Sequence, residues 1–202
     1  MSINQATFKG RGAQLNTANP YLKQTYVIEH IEGLDEPLLS NSKTEFYHEN
    51  PKKIVNKVDS PDIGLMYSMN PYQGCEHGCI YCYARNSHQY WGFSAGLDFE
   101  RKIIIKENAP ELLEQFLKKY KGIPQPIMLS GNTDCYQPIE RKLEITRRML
   151  EVLLKYRYPV NIITKNSLII RDINILKEMA KESLVHVSVS ITTLNKELQQ
   201  KL

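Results

Sequence analysis

Strand-like and helix-like segments alternate along residues 65–192, and this alternation constrains the fold more than any other feature. Leu65–Met69 reads as a short strand, followed by a cysteine-rich loop and a short helix over Ala84–Gln89. Lys102–Lys106 is a second β-like run. Asn108-Ala-Pro-Glu111 then opens a helix: Asn108 caps, Pro110 sits in the first turn and Glu111 completes a capping-box spacing. Leu112, Leu113, Phe116, Leu117 and Tyr120 form its apolar face. Lys118, Lys119 and Lys121 suit its C-terminal end, with Gly122 as the terminating residue. A strand at Ile127–Ser130 and a helix from Ile139 to Tyr156 follow, the latter with Leu143, Thr146, Met149, Leu150, Leu153 and Leu154 inward. Then come a strand at Val160–Thr164, a helix at Asp172–Glu182 burying Leu176, Met179 and Ala180, and a strand at Leu184–Thr192. A further helix begins at Asn195.

Strands alternating with helices argue for βαβ units and a parallel sheet, either doubly wound or closed into a barrel. The last strand discriminates. Val185, Val187, Val189 and Ile191 share one face, and His186, Ser188, Ser190 and Thr192 the other. A sandwiched parallel strand is apolar on both faces. A polar inner face fits a barrel whose lumen holds a polar ligand; an edge strand facing water is the alternative. A complete eight-unit barrel takes about 250 residues, and only about four core βα units are present. The expectation is therefore an α/β fold: a partial (β/α) TIM-like barrel, truncated after about four units. Residues 61–202 form this core. Residues 1–60 read as an irregular N-terminal extension punctuated by Asn19-Pro20, Glu36-Pro37, Asn50-Pro51 and Ser60-Pro61. A short strand at Tyr26–Ile28 is expected there, and Gly10-Arg11-Gly12 reads as a flexible loop.

Charge adds little. Twenty-six Lys+Arg against 22 Asp+Glu leave a net +4, spread diffusely, which tolerates nucleic acid without demanding it. Lys52-Lys53 reads as a solvated face. No run approaches the roughly 20 apolar residues of a bilayer span, and no basic segment leads into an apolar stretch at the start. The expected compartment is the cytoplasm, without a membrane partner.

Three of the four cysteines fall within eight residues: Cys75, Cys79 and Cys82; Cys135 is distant. With no secretion signal, metal or redox chemistry is favoured over disulfides. Thiolates bind zinc, or iron in iron–sulfur clusters. A structural zinc site needs four ligands, and no second pair lies downstream. Spacings of three and two residues let one tight loop wrap a cubane through three of its irons, leaving the fourth without a cysteine. Gly74 and Gly78 let the backbone approach. A zinc site completed by His77 or Cys135, and a thiol-redox pair at Cys79 and Cys82, are the competing readings; the latter leaves Cys75 unexplained.

Cys75-x3-Cys79-x2-Cys82, with Tyr81 directly before the last cysteine, resembles the signature of the radical S-adenosylmethionine (radical SAM) superfamily. The resemblance implies a partial (β/α)6 barrel with the motif after its first strand. It implies a [4Fe-4S] cluster on Cys75, Cys79 and Cys82, whose open iron chelates the amino and carboxylate groups of S-adenosylmethionine. One electron, from a reducing donor of flavodoxin or ferredoxin type, would then release a 5′-deoxyadenosyl radical that abstracts hydrogen from a substrate. Over residues 65–202 the chain is similar to the spore photoproduct lyase-like branch, or DNA repair photolyase-type proteins. That likeness rests on Tyr81-Cys82-Tyr83, Ile163-Thr164-Lys165 and Val189-Ser190-Ile191.

This branch implies that Tyr81 and Tyr83 lie near the substrate and relay the radical, with Tyr81 also against the adenine. Lys165 and Ser190 would hold S-adenosylmethionine. As plainer readings, Lys165 is an exposed loop lysine and Ser190 satisfies local backbone. Where many members carry Gly-Gly-Glu for the amino group, this chain has Ser130-Gly131-Asn132-Thr133-Asp134-Cys135. Ser130, Asn132 or Asp134 would supply the acceptor, though an Asx-type turn explains Asn132 equally well. The lyases place a hydrogen-donor cysteine at the end of the second strand. Here Ser130-Gly131 stands there, and Cys135, a few residues later, is either that donor or a small buried side chain. The lyases' DNA-gripping part lies beyond Leu202, so the substrate stays open, with a DNA lesion one candidate.

Overall fold

The computed structural model describes residues 11–22, 43–60, 62, 64, 66–195 and 198. Its strands are β1 (Glu45–His48), β2 (Asn56–Lys57), β3 (Tyr67–Met69), β4 (Tyr72–Gln73), β5 (Lys102–Ile105), β6 (Ile127–Leu129), β7 (Val160–Thr164) and β8 (Val185–Val189). Its α-helices are α1 (Asp98–Arg101), α2 (Ala109–Lys119), α3 (Glu140–Leu143), α4 (Ile145–Lys155) and α5 (Ile173–Lys181). Two 3-10 helices, Tyr83–Trp91 and Ser167–Asp172, complete it.

The larger sheet has the order β2-β3-β6-β7-β8. β3, β6, β7 and β8 run parallel, and β2 adds an antiparallel edge. The fold is thus mixed α/β with parallel strands, compatible with a partial (β/α) arrangement. One face of the sheet carries the core. Ile127, Leu129, Val160 and Ile162 meet Leu113 and Leu117 of α2, Ile145, Met149, Leu150 and Leu153 of α4, and Leu176 and Met179 of α5. Each such side chain contributes roughly 1.5–3 kcal/mol when fully buried. On the opposite face Asn161 and Ile163 of β7 register with His186 and Ser188 of β8, and Ile163, His186 and Ser188 are exposed. Among the described residues β8 is a sheet edge, and His186 and Ser188 on its polar face are exposed.

The structure departs from the sequence reading at several points. The helix expected over Ile139–Tyr156 breaks at Glu144, whose φ is 51°. The cause is Glu140, fully buried, whose carboxylate accepts from Thr146 N at 3.1 Å and Arg147 N at 3.4 Å. An acid at a helix N-terminus satisfies donors the helix cannot, so the chain turns to start α4 there. Asn108 makes no side-chain cap on α2; its amide donates to Pro51 O at 3.4 Å. Gly122 is not the terminator, because α2 ends in extended backbone at Tyr120, and the Tyr120 hydroxyl donates to Ile123 O at 3.0 Å. Ala180 is exposed. The segment read as irregular supplies β1, parallel to β5, as well as β2. β4 pairs antiparallel with the other edge of β5, making a second, three-stranded sheet. The Tyr26–Ile28 strand and most of the helix expected from Asn195 lie outside the described residues. Among the described residues no helix is long and apolar enough to cross a membrane.

Candidate active site

The cysteine loop leaves β3 through β4, so it stands at the C-terminal ends of the parallel strands, where α/β folds place their sites. Two left-handed glycines shape it: Gly74 with φ 78° and Gly78 with φ 65°. Gly74 is also crowded, since a Cβ there would stand 2.9 Å from Lys102 O and 3.0 Å from Phe99 O. Cys75 is buried, and its N–H donates to Phe99 O at 2.9 Å. Gln137, fully buried, clasps the backbone on both sides of that cysteine. Its Nε2 donates to Gly74 O at 3.2 Å, and its Oε1 accepts from Glu76 N at 3.1 Å. Sequence reasoning missed Gln137, which carries no motif.

All four cysteines are free thiols. Burial pushes the Cys75 thiol up to about 12 and raises Cys82 as well. A coordinated cation reverses this cost and deprotonates a thiol outright. Among the described residues no three His, Cys, Asp or Glu side chains are drawn together tightly enough for a single metal ion. His77 Nε2 lies 3.4 Å from Asp134 Oδ2, and His77 lines a cleft with Lys165 and Ser190. Cys135 is fully buried, with its N–H donating to Ser130 Oγ at 2.5 Å. It is not among the residues that line the cleft described next. The donor chemistry, three thiols on one glycine-shaped loop, fits a cubane, in which each thiolate meets a different iron.

Beside the loop lies a cleft of about 240 Å³, lined by Cys79, Tyr81, Cys82, Tyr83, Ser130, Asn132, Asp134, Lys165 and Ser190, among others. These residues come from loops after β3, β6, β7 and β8. A neighbouring cleft of about 320 Å³ shares Lys165 and Ser190. Lys165 Nζ donates to Cys79 Sγ and to Tyr81 Oη, both at 3.0 Å, and lies 5.4 Å from the centre of the Tyr81 ring. Burial alone lowers its pKa, but the Cys79 and Tyr81 contacts outweigh burial and raise it. Lys165 is therefore no free loop lysine. The Tyr81 hydroxyl also meets Thr192 Oγ1 at 2.7 Å, and the Tyr83 hydroxyl donates to Gly131 O at 2.5 Å. Ser190 N donates to Thr164 O at 2.9 Å.

Two acceptor candidates are already engaged. Asp134 accepts from Thr164 Oγ1 at 2.7 Å, Lys165 N at 2.9 Å and Tyr136 N at 2.9 Å. Burial would raise its pKa, but His77, the Lys165 N–H and Thr164 outweigh burial and lower it. Ser130, at φ 75°, has its Oγ on Cys135 N. Asn132 differs. Its Nδ2 donates to Gln73 Oε1 at 3.1 Å and Ser87 Oγ at 3.0 Å, so the amide is fixed in one orientation.

The fold and the site together define a mixed α/β protein with a cysteine-lined cleft at the ends of its parallel strands. Residues 69–202 match the radical SAM superfamily, and the chain belongs to it. Members generally use a [4Fe-4S] cluster and S-adenosylmethionine, and the cysteines for it are present here. The chain is 32% identical over 150 residues to an uncharacterized protein of Mycobacterium tuberculosis, covering 74% of this chain and 44% of that protein. It is 32% identical over 160 residues to an uncharacterized protein of Methanocaldococcus jannaschii, covering 79% and 56%. An uncharacterized protein of Acidianus two-tailed virus is 25% identical over 160 residues, covering 76% and 50%. The chain thus spans about half the length of the curated relatives it matches. No solved structure matches it. None of these relatives carries a name that speaks for the spore photoproduct lyase-like branch.

Proposed function

We propose that this chain is the catalytic core of a radical SAM enzyme, with Cys75, Cys79 and Cys82 holding the cluster and the adjoining cleft holding S-adenosylmethionine. The observation that carries this reading is the convergence of Cys79, Cys82, Tyr81, Asn132, Lys165 and Ser190 on one cleft from four separate strand ends. When bound, the cluster and S-adenosylmethionine supply one-electron reductive cleavage that yields a hydrogen-abstracting deoxyadenosyl radical. The protein's part is recognition and exclusion of water. Lys165 pairs the methionyl carboxylate, a charge-assisted contact. Asn132 Oδ1, set by the two bonds of its Nδ2, accepts from the methionyl ammonium. The exposed ring of Tyr81 gives the adenine a stacking face, and Ser190 bonds the ribose or carboxylate.

Within the superfamily, the spore photoproduct lyase-like reading rests on Tyr81 and Tyr83, whose hydroxyls reach Thr192 and Gly131 beside the cleft. A DNA lesion is its substrate, and a flavodoxin or ferredoxin its electron source. Four free thiols suit a reducing compartment such as the cytoplasm. The test is anaerobic reconstitution with iron and sulfide, followed by a deoxyadenosine assay with dithionite and S-adenosylmethionine. Wild type forms deoxyadenosine; a protein that binds zinc instead and forms none contradicts the reading.

A further inference from the structure

Residues 11–19 run across the outside of the cysteine loop and touch it mainly through backbone. Gly12 lies against the turn between Cys75 and Cys79. A Cβ there would stand 2.1 Å from Gly78 O and 2.9 Å from Ile80 N, distances no side chain tolerates. These two obstacles are main chain and do not yield by changing rotamer; a third, Ile80 Cγ2 at 2.8 Å, is a side chain. A second crossing repeats the arrangement: a Cβ at Gly96 would meet Leu15 O at 2.2 Å, and Leu97 N donates to that oxygen at 3.1 Å.

Directional bonds hold the segment at five further residues. Arg11 Nη1 donates to Glu100 O at 2.7 Å, and Ala13 N to Glu100 Oε1 at 2.8 Å. That same fully buried carboxylate oxygen accepts from Arg85 Nη2 at 2.5 Å, and Arg85 Nη2 also donates to Cys79 O at 2.8 Å. Ala13, Glu100, Arg85 and Cys79 therefore form one continuous chain of bonds. Asn16 and Asp98 exchange two bonds of 2.9 and 2.8 Å. Thr17 N donates to Ser94 Oγ at 2.7 Å, and Asn19 Nδ2 to Gln89 O at 2.9 Å and Phe93 O at 3.0 Å. The Gly-Arg-Gly stretch is thus no loose loop where it is described.

We propose that residues 11–19 are a clasp on the Cys79 limb of the cluster-binding loop, with Gly12 as its positioning residue. The inference rests on the cluster reading above, and it places part of the metal centre outside residues 69–202. The two limbs of the loop need different supports. Cys75 is buried and clasped by Gln137 from the core, whereas Cys79 is half-buried and Ile80 exposed. The clasp covers the backbone of Gly78–Ile80 and anchors Cys79 O through Arg85. It holds the Cys79–Cys82 spacing before iron arrives and slows access of water, chelator and oxygen afterwards. Solvent access and the groups around a cluster also set its potential.

The test compares full-length wild type with Gly12→Val and Arg11→Ala. In metal-free protein, hydrogen exchange at amides 76–82 reads the loop directly. Both variants should lose protection there while β6 and β7 keep theirs, Gly12→Val the more. After anaerobic reconstitution, release of iron to a chelator should quicken on the order of tenfold in Gly12→Val, with a shifted midpoint potential. Unchanged exchange, chelator release and potential in both variants would overturn the clasp while leaving the cluster reading intact. If Gly12→Val also loses protection in β6 and β7, Arg11→Ala alone decides. If wild type takes up no iron, the cluster reading falls, and the metal-free exchange alone decides the clasp.

Discussion

The helix-covered face of the sheet and the loops at its strand ends are stabilised by different means. The first is a continuous apolar core: sheet residues Ile127, Leu129, Val160 and Ile162 against Leu113, Met149, Leu150 and Leu176. Its stability is spread over many contacts, each tolerant of neighbours shifting. The second is held by few, directional bonds on left-handed backbone: Gly74, Gly78 and Ser130 at positive φ, Gln137 on both sides of Cys75, and Arg85 on Cys79 O. Stability and cluster binding should therefore be separable by mutation.

Cys82→Ala is the sharpest separation. It should abolish cluster assembly and deoxyadenosine formation while the thermal midpoint of metal-free protein stays close to wild type. Full iron content with turnover would break the comparison at its base. Leu150→Ala should do the reverse. Its fully buried side chain leaves a cavity costing about 2–5 kcal/mol in denaturant unfolding, with iron per folded molecule unchanged.

His88 carries the contrast into pH. It packs between Phe93 and Phe99 at the foot of the loop, and neither ring nitrogen has a partner among the described residues. Burial lowers its pKa from 6.5 to about 4. The unfolded chain therefore takes up a proton that the folded chain refuses. Stability is full above about pH 6.5 and falls toward pH 4, by up to about 3 kcal/mol. His88→Phe should flatten that part of the profile, and an unchanged profile would remove His88 from the account. Lys165→Ala is the most local change. It should keep the cluster and weaken S-adenosylmethionine binding about tenfold or more, the worth of a hydrogen bond to a charged group. Unchanged affinity in a titration would return Lys165 to a role on Cys79 and Tyr81 alone.

These regions also differed in how far the sequence revealed them. Helix α2 and strands β6 and β7 follow from apolar spacing, because local pattern and burial agree there. The cysteine motif is visible in its spacing, whereas Lys165 and Ser190 were pointed to only by the family resemblance; the structure brings both to the cleft that Cys79 and Cys82 line. The break at Glu144 was hidden, since the pattern through Ile139–Tyr156 is continuously helical; only the burial of Glu140 beneath α4 explains it. Gln137, Glu100 and Arg85 were hidden for the same reason. Their partners lie between 6 and 89 residues away, and those bonds exist only once the chain has folded. Gly12 was misread because a glycine needed for close approach looks the same in sequence as one that loosens a loop.

The central claim is that one cleft joins the cysteine loop to an S-adenosylmethionine site. Electron paramagnetic resonance of the reconstituted, dithionite-reduced protein tests it most directly, with and without S-adenosylmethionine in otherwise identical samples. The account predicts a reduced [4Fe-4S] signal whose g-values change when S-adenosylmethionine is added. A cluster signal indifferent to S-adenosylmethionine would contradict it.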